Sequence, residues 1–249
     1  MPMAPAEEFL ALLKDAHDQF QLLAEKLEFD KNHSLHRTIV ALYGSVLELT
    51  SSCILLIDKR LLPGVPVLLR AVLEAYVDLV NLAKSPRYSY SIELNYLREW
   101  RKLLEEAKAG KNEYLSDISE APGLDARIAQ IRKEEARLKS EGHKVLKISD
   151  KFIHAGMQKE YNSLYNSLCC DSHNNLRSLL YRHFEFDAVG FAMVFYKEYA
   201  TGDAAVYIGT NAELLVRATE KIHEVLQSEV QDVVSQYRTR LDHLRGDAV

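Results

Sequence analysis

Residues 66–84 read Pro66-Val-Leu-Leu-Arg70-Ala-Val-Leu-Glu74-Ala-Tyr-Val-Asp78-Leu-Val-Asn81-Leu-Ala-Lys84, and this stretch decides the fold class. It contains no glycine, and its proline opens it, where a first helical turn tolerates one. Arg70, Glu74, Asp78 and Asn81 are spaced by four, four and three, so in a helix they share one face. Every other side of that helix is apolar, which is the pattern of an element central to a bundle. Its polar stripe must then meet solvent through a gap or line an internal cavity where charge is paired.

Outward from this helix the apolar residues keep the same period. Upstream they recur over about 5–28 (Leu10, Leu13, Phe20, Ala24, Leu27) and 34–59 (Leu35, Ile39, Leu42, Val46, Leu49, Cys53, Leu56), and Leu61-Leu62-Pro63-Gly64 makes the break. Downstream they predict helices over about 91–109, 125–141, 158–170 and 176–182, and a last helix capped by Asn211 and running to about Leu241. Residues 183–209 are rich in aromatic and β-branched side chains. They are expected to form a small irregular or hairpin excursion, although a helix over about 191–199 fits better than strands because no period of two persists. The expectation is an all-α, single-domain helical bundle over 1–249, with 111–145 a charged projecting segment.

Composition narrows the class. The chain has 249 residues, 47% hydrophobic and 27% charged, with 10 Gly and 6 Pro, which excludes disordered and fibrous proteins. Thirty-six acidic residues against 31 basic ones give a net charge of −5, so no global field draws it to nucleic acid and any phosphate must be held locally. Glu48, Asp58, Arg70, Glu74 and Asp78 interrupt the apolar region 39–83, and no membrane span is expected. Three cysteines, two of them adjacent (Cys169, Cys170), make neither a disulfide framework nor a zinc quartet. The N-terminus shows no basic segment followed by an apolar one, and a reducing, cytoplasmic location is expected.

Two places carry candidate chemistry. On the 66–84 helix, Arg70 could clamp an anion and Glu74 serve as a base or orienting carboxylate; an ordinary i to i+4 pair is the simpler account. Between Tyr161 and Arg177 the chain crowds Tyr165, Cys169, Asp171, Ser172, His173, Asn174 and Asn175 beside an apolar stripe. His173 and Arg177 lie four apart, a spacing that in one helix suits proton transfer beside a bound phosphate or carboxylate. Asp171-Ser172-His173-Asn174 also has the composition of a helix N-cap. Glu220 and His223 form a single Glu-x-x-His, better explained by a surface helix, and His33 and His36 lack a third ligand nearby. No metal or cofactor is expected.

The Arg70-Ala-Val-Leu-Glu74 helix, followed by Tyr165-Asn-Ser-Leu168-Cys169-Cys-Asp-Ser-His173, resembles a bacterial all-helical family known only as a domain of unknown function. That family is marked by an Arg-x-x-x-Glu helix and a Tyr-x-x-Leu-Ser-x-x-x-His segment, with Cys169 here in the usual serine position. The resemblance implies that Arg70, Glu74, Tyr165 and His173 belong to one site. The Arg-x4-6-His spacing of HEPN-type ribonucleases occurs at Arg177 to His183, but also at Arg137 to His143 and Arg217 to His223, so it discriminates little.

Two functions are expected. One is metal-independent phosphodiester cleavage, RNA included, in a bacterial stress or phage-defence setting. There His173 would be the acid–base group, Glu74 its orienter, Tyr165 part of the pocket, and Arg70 with Arg177 the phosphate-binding side chains. The other is a non-enzymatic helical interaction module, a homo-oligomer whose charged 125–151 helix meets a partner or second copy through Ile128, Ile131 and Leu138.

Overall fold

The computed structural model describes residues 5–173, 175–188, 190–228 and 230–246, and Asn174 of the polar cluster lies outside the described residues. The chain is all-α apart from one short hairpin. In order it forms α1 (Ala6–Ala24), α2 (Ser34–Asp58), α3 (Val65–Lys84), α4 (Tyr88–Lys108), α5 (Ser116–Ser119), α6 (Leu124–Ser140), α7 (Ile148–Ala155), α8 (Gln158–Glu160) and α9 (Asn166–Ser172). It continues with α10 (Leu176–His183), β1 (Phe184–Phe186), β2 (Phe191–Met193), α11 (Ala205–Leu226) and α12 (Gln231–Arg245). The fold separates into two compact units, one of residues up to 83 with those from 152 onward, the other of 84–151.

In the first unit α1, α2 and α11 pack on one another, and α12 lies against α1 and α11. Leu13, Phe20, Ile39, Val46, Leu215 and Ile222 are fully buried there, each worth about 1.5–3 kcal/mol of transfer free energy if large and apolar. Three polar contacts fix the register. The Tyr43 and Thr219 hydroxyls meet at 3.0 Å, Thr50 donates to Asn211 Oδ1 at 2.9 Å, and His17 Nε2 lies 3.2 Å from the Leu47 carbonyl. By length and composition alone α2 could cross a membrane. Ile39, Tyr43, Val46, Thr50 and Cys53 are instead buried in the unit, with the two hydroxyls bonded across it. In the turn before α3, Gly64 lets the Leu56 side chain lie close, since a Cβ there would be 2.8 Å from Leu56 Cδ1. On α3 the residues Leu69, Val72, Leu73, Val77, Leu79 and Leu82 are fully buried, as its all-round apolar surface requires.

Three expectations are corrected. Residues 191–199 are not helical: β2 pairs antiparallel with β1, Phe184 facing Met193 and Phe186 facing Phe191. The alternation is hard to detect because Phe186, Phe191 and Met193 are all exposed, leaving no polar-out, apolar-in contrast. The last predicted helix is two, and Asn211 is a buried residue inside α11 rather than its cap. Gln227 breaks it by adopting φ 54°, and Ser228 N–H then closes onto the His223 carbonyl at 3.1 Å.

The second unit is built on α4 and α6. Leu104, Ile128 and Ile131 form its buried cluster, with Leu97, Trp100, Ile118 and Leu124 against them, and Arg127 lies 5.2 Å from the Trp100 ring centre. The residues expected to meet a partner, Ile128, Ile131 and Leu138, are therefore buried within the chain itself. Three basic side chains of α6 are also engaged: Arg132 with Glu105, Lys139 with Glu135, and Arg137 with Glu134 and Glu141. Buried Glu135 additionally accepts from Arg101 at 2.7 Å.

Candidate active site

The site starts from α3. Arg70 and Glu74, one turn apart, are joined by Nε to Oε1 at 2.9 Å, with side-chain exposures of 25% and 38%. Opposite them the chain from Gln158 to Ser172 is continuous helix, but Tyr161–Tyr165 forms a π-type turn between α8 and α9. Such a turn adds a residue to the helix and shifts the direction of the side chains around it, and it recurs at functional positions. Tyr165, the last residue of this turn, is buried with its ring stacked on Tyr161 at 5.4 Å and tilted against Phe152 at 5.0 Å. The aromatic packing fixes the ring and leaves the hydroxyl facing α3.

Arg70 is the centre of the cluster. Its Nη2 donates to Tyr165 Oη at 3.1 Å, and Tyr165 Oη donates to Glu74 Oε1, also at 3.1 Å. Its Nη1 lies 2.8 Å from His173 Nε2. A guanidinium has no acceptor, so His173 must present its Nε2 lone pair and, in the neutral ring, carry its proton on Nδ1. The guanidinium carbon is 5.3 Å from the Tyr165 ring centre, in cation–π range. Burial, and after it the Glu74 carboxylate, pushes the Tyr165 hydroxyl well above its ordinary range, keeping it a proton donor to Glu74.

The geometry thus brings together Arg70, Glu74, Tyr165 and His173, with one difference from expectation. Glu74 orients Arg70 and Tyr165, and its link to His173 runs through the guanidinium. Arg177 is on a different helix from His173. α9 ends at Ser172 and α10 begins at Leu176, Arg177 is exposed, and its backbone N–H serves the N-cap of α10 by donating to Asn175 Oδ1 at 3.0 Å. Asp171, Ser172 and His173 are likewise the end of α9 rather than a helix start, with His173 itself exposed at the C-cap.

Asp171, read only as a cap, turns out to be an anchor. It accepts from Ser178 Oγ at 2.7 Å and from Tyr207 Oη at 3.2 Å, tying the end of α9 to α10 and α11. The sequence signal was an aspartate two positions before His173, but its partners are seven and thirty-six residues away. Cys169 is partly buried beside the cluster. The surface-helix reading of Glu220 and His223 also changes. Glu220 accepts from Arg238, and His223 is 2% exposed with Nδ1 2.5 Å from Ser228 Oγ. Among the described residues no three His, Cys, Asp or Glu side chains are placed to share a metal ion.

What these groups can supply together is a positive charge, a lone pair on an exposed imidazole, and a buried hydroxyl and a partly exposed carboxylate that hold the charge in place. No curated protein and no solved structure shows a significant match to the chain. The pairing of an Arg-x-x-x-Glu helix with a Tyr- and His-bearing one falls within residues 36–191, where the chain matches a family model described as "Family of unknown function (DUF5677)", and it is to this family that the protein belongs.

Proposed function

We propose that the chain cleaves phosphodiesters and that its substrate class is RNA. The observation that carries this is the convergence of Arg70, Glu74, Tyr165 and His173, with the imidazole exposed, the Arg70–Glu74 pair partly exposed and Tyr165 buried. Arg70 Nη1 now donates to His173; a phosphate oxygen would replace the imidazole as acceptor, as guanidinium and phosphate pair strongly. That exchange puts the positive charge on the phosphate and frees Nε2 to take a proton. A 2′-hydroxyl next to the phosphate then loses its proton to Nε2 and its oxygen attacks phosphorus. The bond to the 5′ oxygen breaks, that oxygen takes a proton from the imidazolium or from water, and a 2′,3′-cyclic phosphate remains. RNA supplies this nucleophile within the substrate, so a base and a cation suffice for the step. Glu74 and Tyr165 position Arg70 and do not touch the substrate.

The test is cleavage of a labelled single-stranded RNA and of its 2′-O-methyl counterpart. Cyclic-phosphate ends from the first, none from the second, and a loss of about 10²–10⁴-fold in His173→Ala support the reading. His173 is exposed, so that variant keeps the parent melting temperature. Full activity in His173→Ala, or no cleavage of RNA by the parent, overturns it. A non-enzymatic reading has one observation in its favour: Arg70 already has three partners inside the protein, as a structural hub would.

A further inference from the structure

A cavity of about 580 Å³ lies in the first unit between the C-terminal end of α2 and the segment that follows β2. That volume is in the range of small-molecule sites, about 300–1,000 Å³. Its lining joins two kinds of side chain. Lys59, Arg60, Arg182 and Lys197 supply positive charge against a single acid, Glu198, in a chain whose net charge is −5. Among the described residues neither Lys59 nor Arg60 is in an ion pair, and Lys197 Nζ rests 5.1 Å from the Tyr181 ring centre. Phe195 and Tyr196 line the same cavity while 66% and 98% exposed, so their rings are not part of any core.

The backbone gives an independent sign. Among the described residues three non-glycine positions have positive φ, and two of them, Arg60 at 56° and Tyr196 at 56°, line this cavity. That conformation is uncommon for residues of this size, and strain of this kind collects at ligand sites. The cavity has a neighbouring recess of about 30 Å³, with which it shares Pro63, Arg182 and Tyr199 and which is lined further by Pro66 and Asp171. Pro66 is one helical turn, about 6 Å, before Arg70, and Asp171 is two residues before His173.

We propose that this cavity holds one nucleotide of a single-stranded RNA, its base against Phe195 and Tyr196 and its phosphate on Lys59, Arg60 and Lys197. The assignment rests on the RNA-cleavage reading for the identity of the strand and adds where the strand is gripped. Exposed aromatics beside cations are the general means by which proteins hold single strands: every base has a stacking face, and the phosphates supply the charge.

The experiment uses the full chain carrying His173→Ala, which binds RNA without cutting it, and a fluorescein-labelled single-stranded RNA followed by anisotropy. Adding Tyr196→Ala weakens binding about tenfold, the effect of losing one stacked base. Adding Lys59→Ala lowers the slope of log affinity against log salt by about 0.7, one fewer phosphate contact on a single strand. Tyr196 is 98% exposed, so its removal leaves the fold intact and a loss of affinity is a loss of contact. Unchanged affinity in Tyr196→Ala with an unchanged salt slope in Lys59→Ala overturns the proposal. The two readings fail separately. A parent that cleaves RNA while Tyr196→Ala alone keeps the parent KM overturns the cavity and leaves the reaction standing. Cavity-dependent binding by a parent that cuts nothing supports the cavity and overturns the reaction.

Discussion

Two ionic clusters in the same unit are each organised around one charged side chain, and they differ in where they end. Glu213, on α11, is 8% exposed and accepts from Arg217, from Arg238 at 3.0 Å and from Arg245 at 2.5 Å. Arg238 uses its remaining N–H groups on Glu220 at 2.8 and 2.9 Å. Every member faces a group of opposite charge, and the Glu213 carboxylate is enclosed. Arg70 is the converse: one cation shared by a carboxylate, a tyrosine and a histidine, the last of them exposed. The first cluster holds helices together. The second ends on an exposed imidazole at the protein surface, the place at which we propose that a substrate joins it.

Removing the two hubs should separate them. Glu213→Ala leaves the half-buried Arg238 facing Arg217 and Arg245 with only Glu220 to compensate. We expect a stability loss of about 3 kcal/mol, or about 6–12 °C in Tm. A loss below about 1 kcal/mol would show that the arginines re-pair with water and that this cluster is no more structural than the other. Arg70→Lys comes next. Lysine keeps the charge but not the planar fork, and cannot hold Glu74, Tyr165 and His173 at once. RNA cleavage is expected to fall about a hundredfold, as when a preorganised donor is removed. Activity within a factor of two of the parent would remove the guanidinium geometry from the mechanism. Smaller again is the stability effect of Arg70→Ala, about 1 kcal/mol by denaturant melting, because its partners are a third exposed or more at Glu74 and His173 and can turn to water. A loss equal to that of Glu213→Ala would favour the structural hub over the active site.

The same contrast explains what the sequence made legible. Arg70 and Glu74 share a helix face, and a period of four in an apolar segment is visible in any single chain. Tyr165 and His173 could be joined to them only through the family resemblance, since about a hundred residues separate the two halves. The Glu213 cluster escaped notice because its partners lie on α11 and α12, which read as one helix. A left-handed Gln227, with no glycine or proline to announce it, makes the turn that brings Arg238 and Arg245 back onto Glu213. The hairpin was obscured by its exposed aromatics, and the segment that follows it carries Phe195 and Tyr196, which line the cavity that we assign to RNA. The anchoring role of Asp171 depends on Ser178 and Tyr207, brought to it by tertiary packing alone.

A last and smallest effect concerns pH, and it bears on the closed part of the molecule. His223 sits on α11 with 2% exposure and with Nε2 buried and unbonded, and burial holds its imidazole below the ordinary histidine value. The unfolded chain takes up that proton near about 6.5, whereas the folded protein resists it. Stability from this residue is therefore complete above the unfolded value and is lost as pH falls through that value toward the folded one. Glu213 behaves alike in sign but lower in range. Burial would raise its carboxyl, but Arg238, Arg217 and Arg245 together outweigh this and hold it below the usual carboxylate value, so its contribution is lost only below about pH 4.3. Denaturant melts of the parent should show a decline between pH 7 and 5 that His223→Gln flattens, while the steeper loss below pH 4 remains in both. Glutamine keeps a polar group for Ser228 and cannot be protonated, so the change isolates the titration. If His223→Gln declines as the parent does between pH 7 and 5, the acid-sensitive group lies elsewhere, and the contrast between a closed cluster and an exposed one must be redrawn around it.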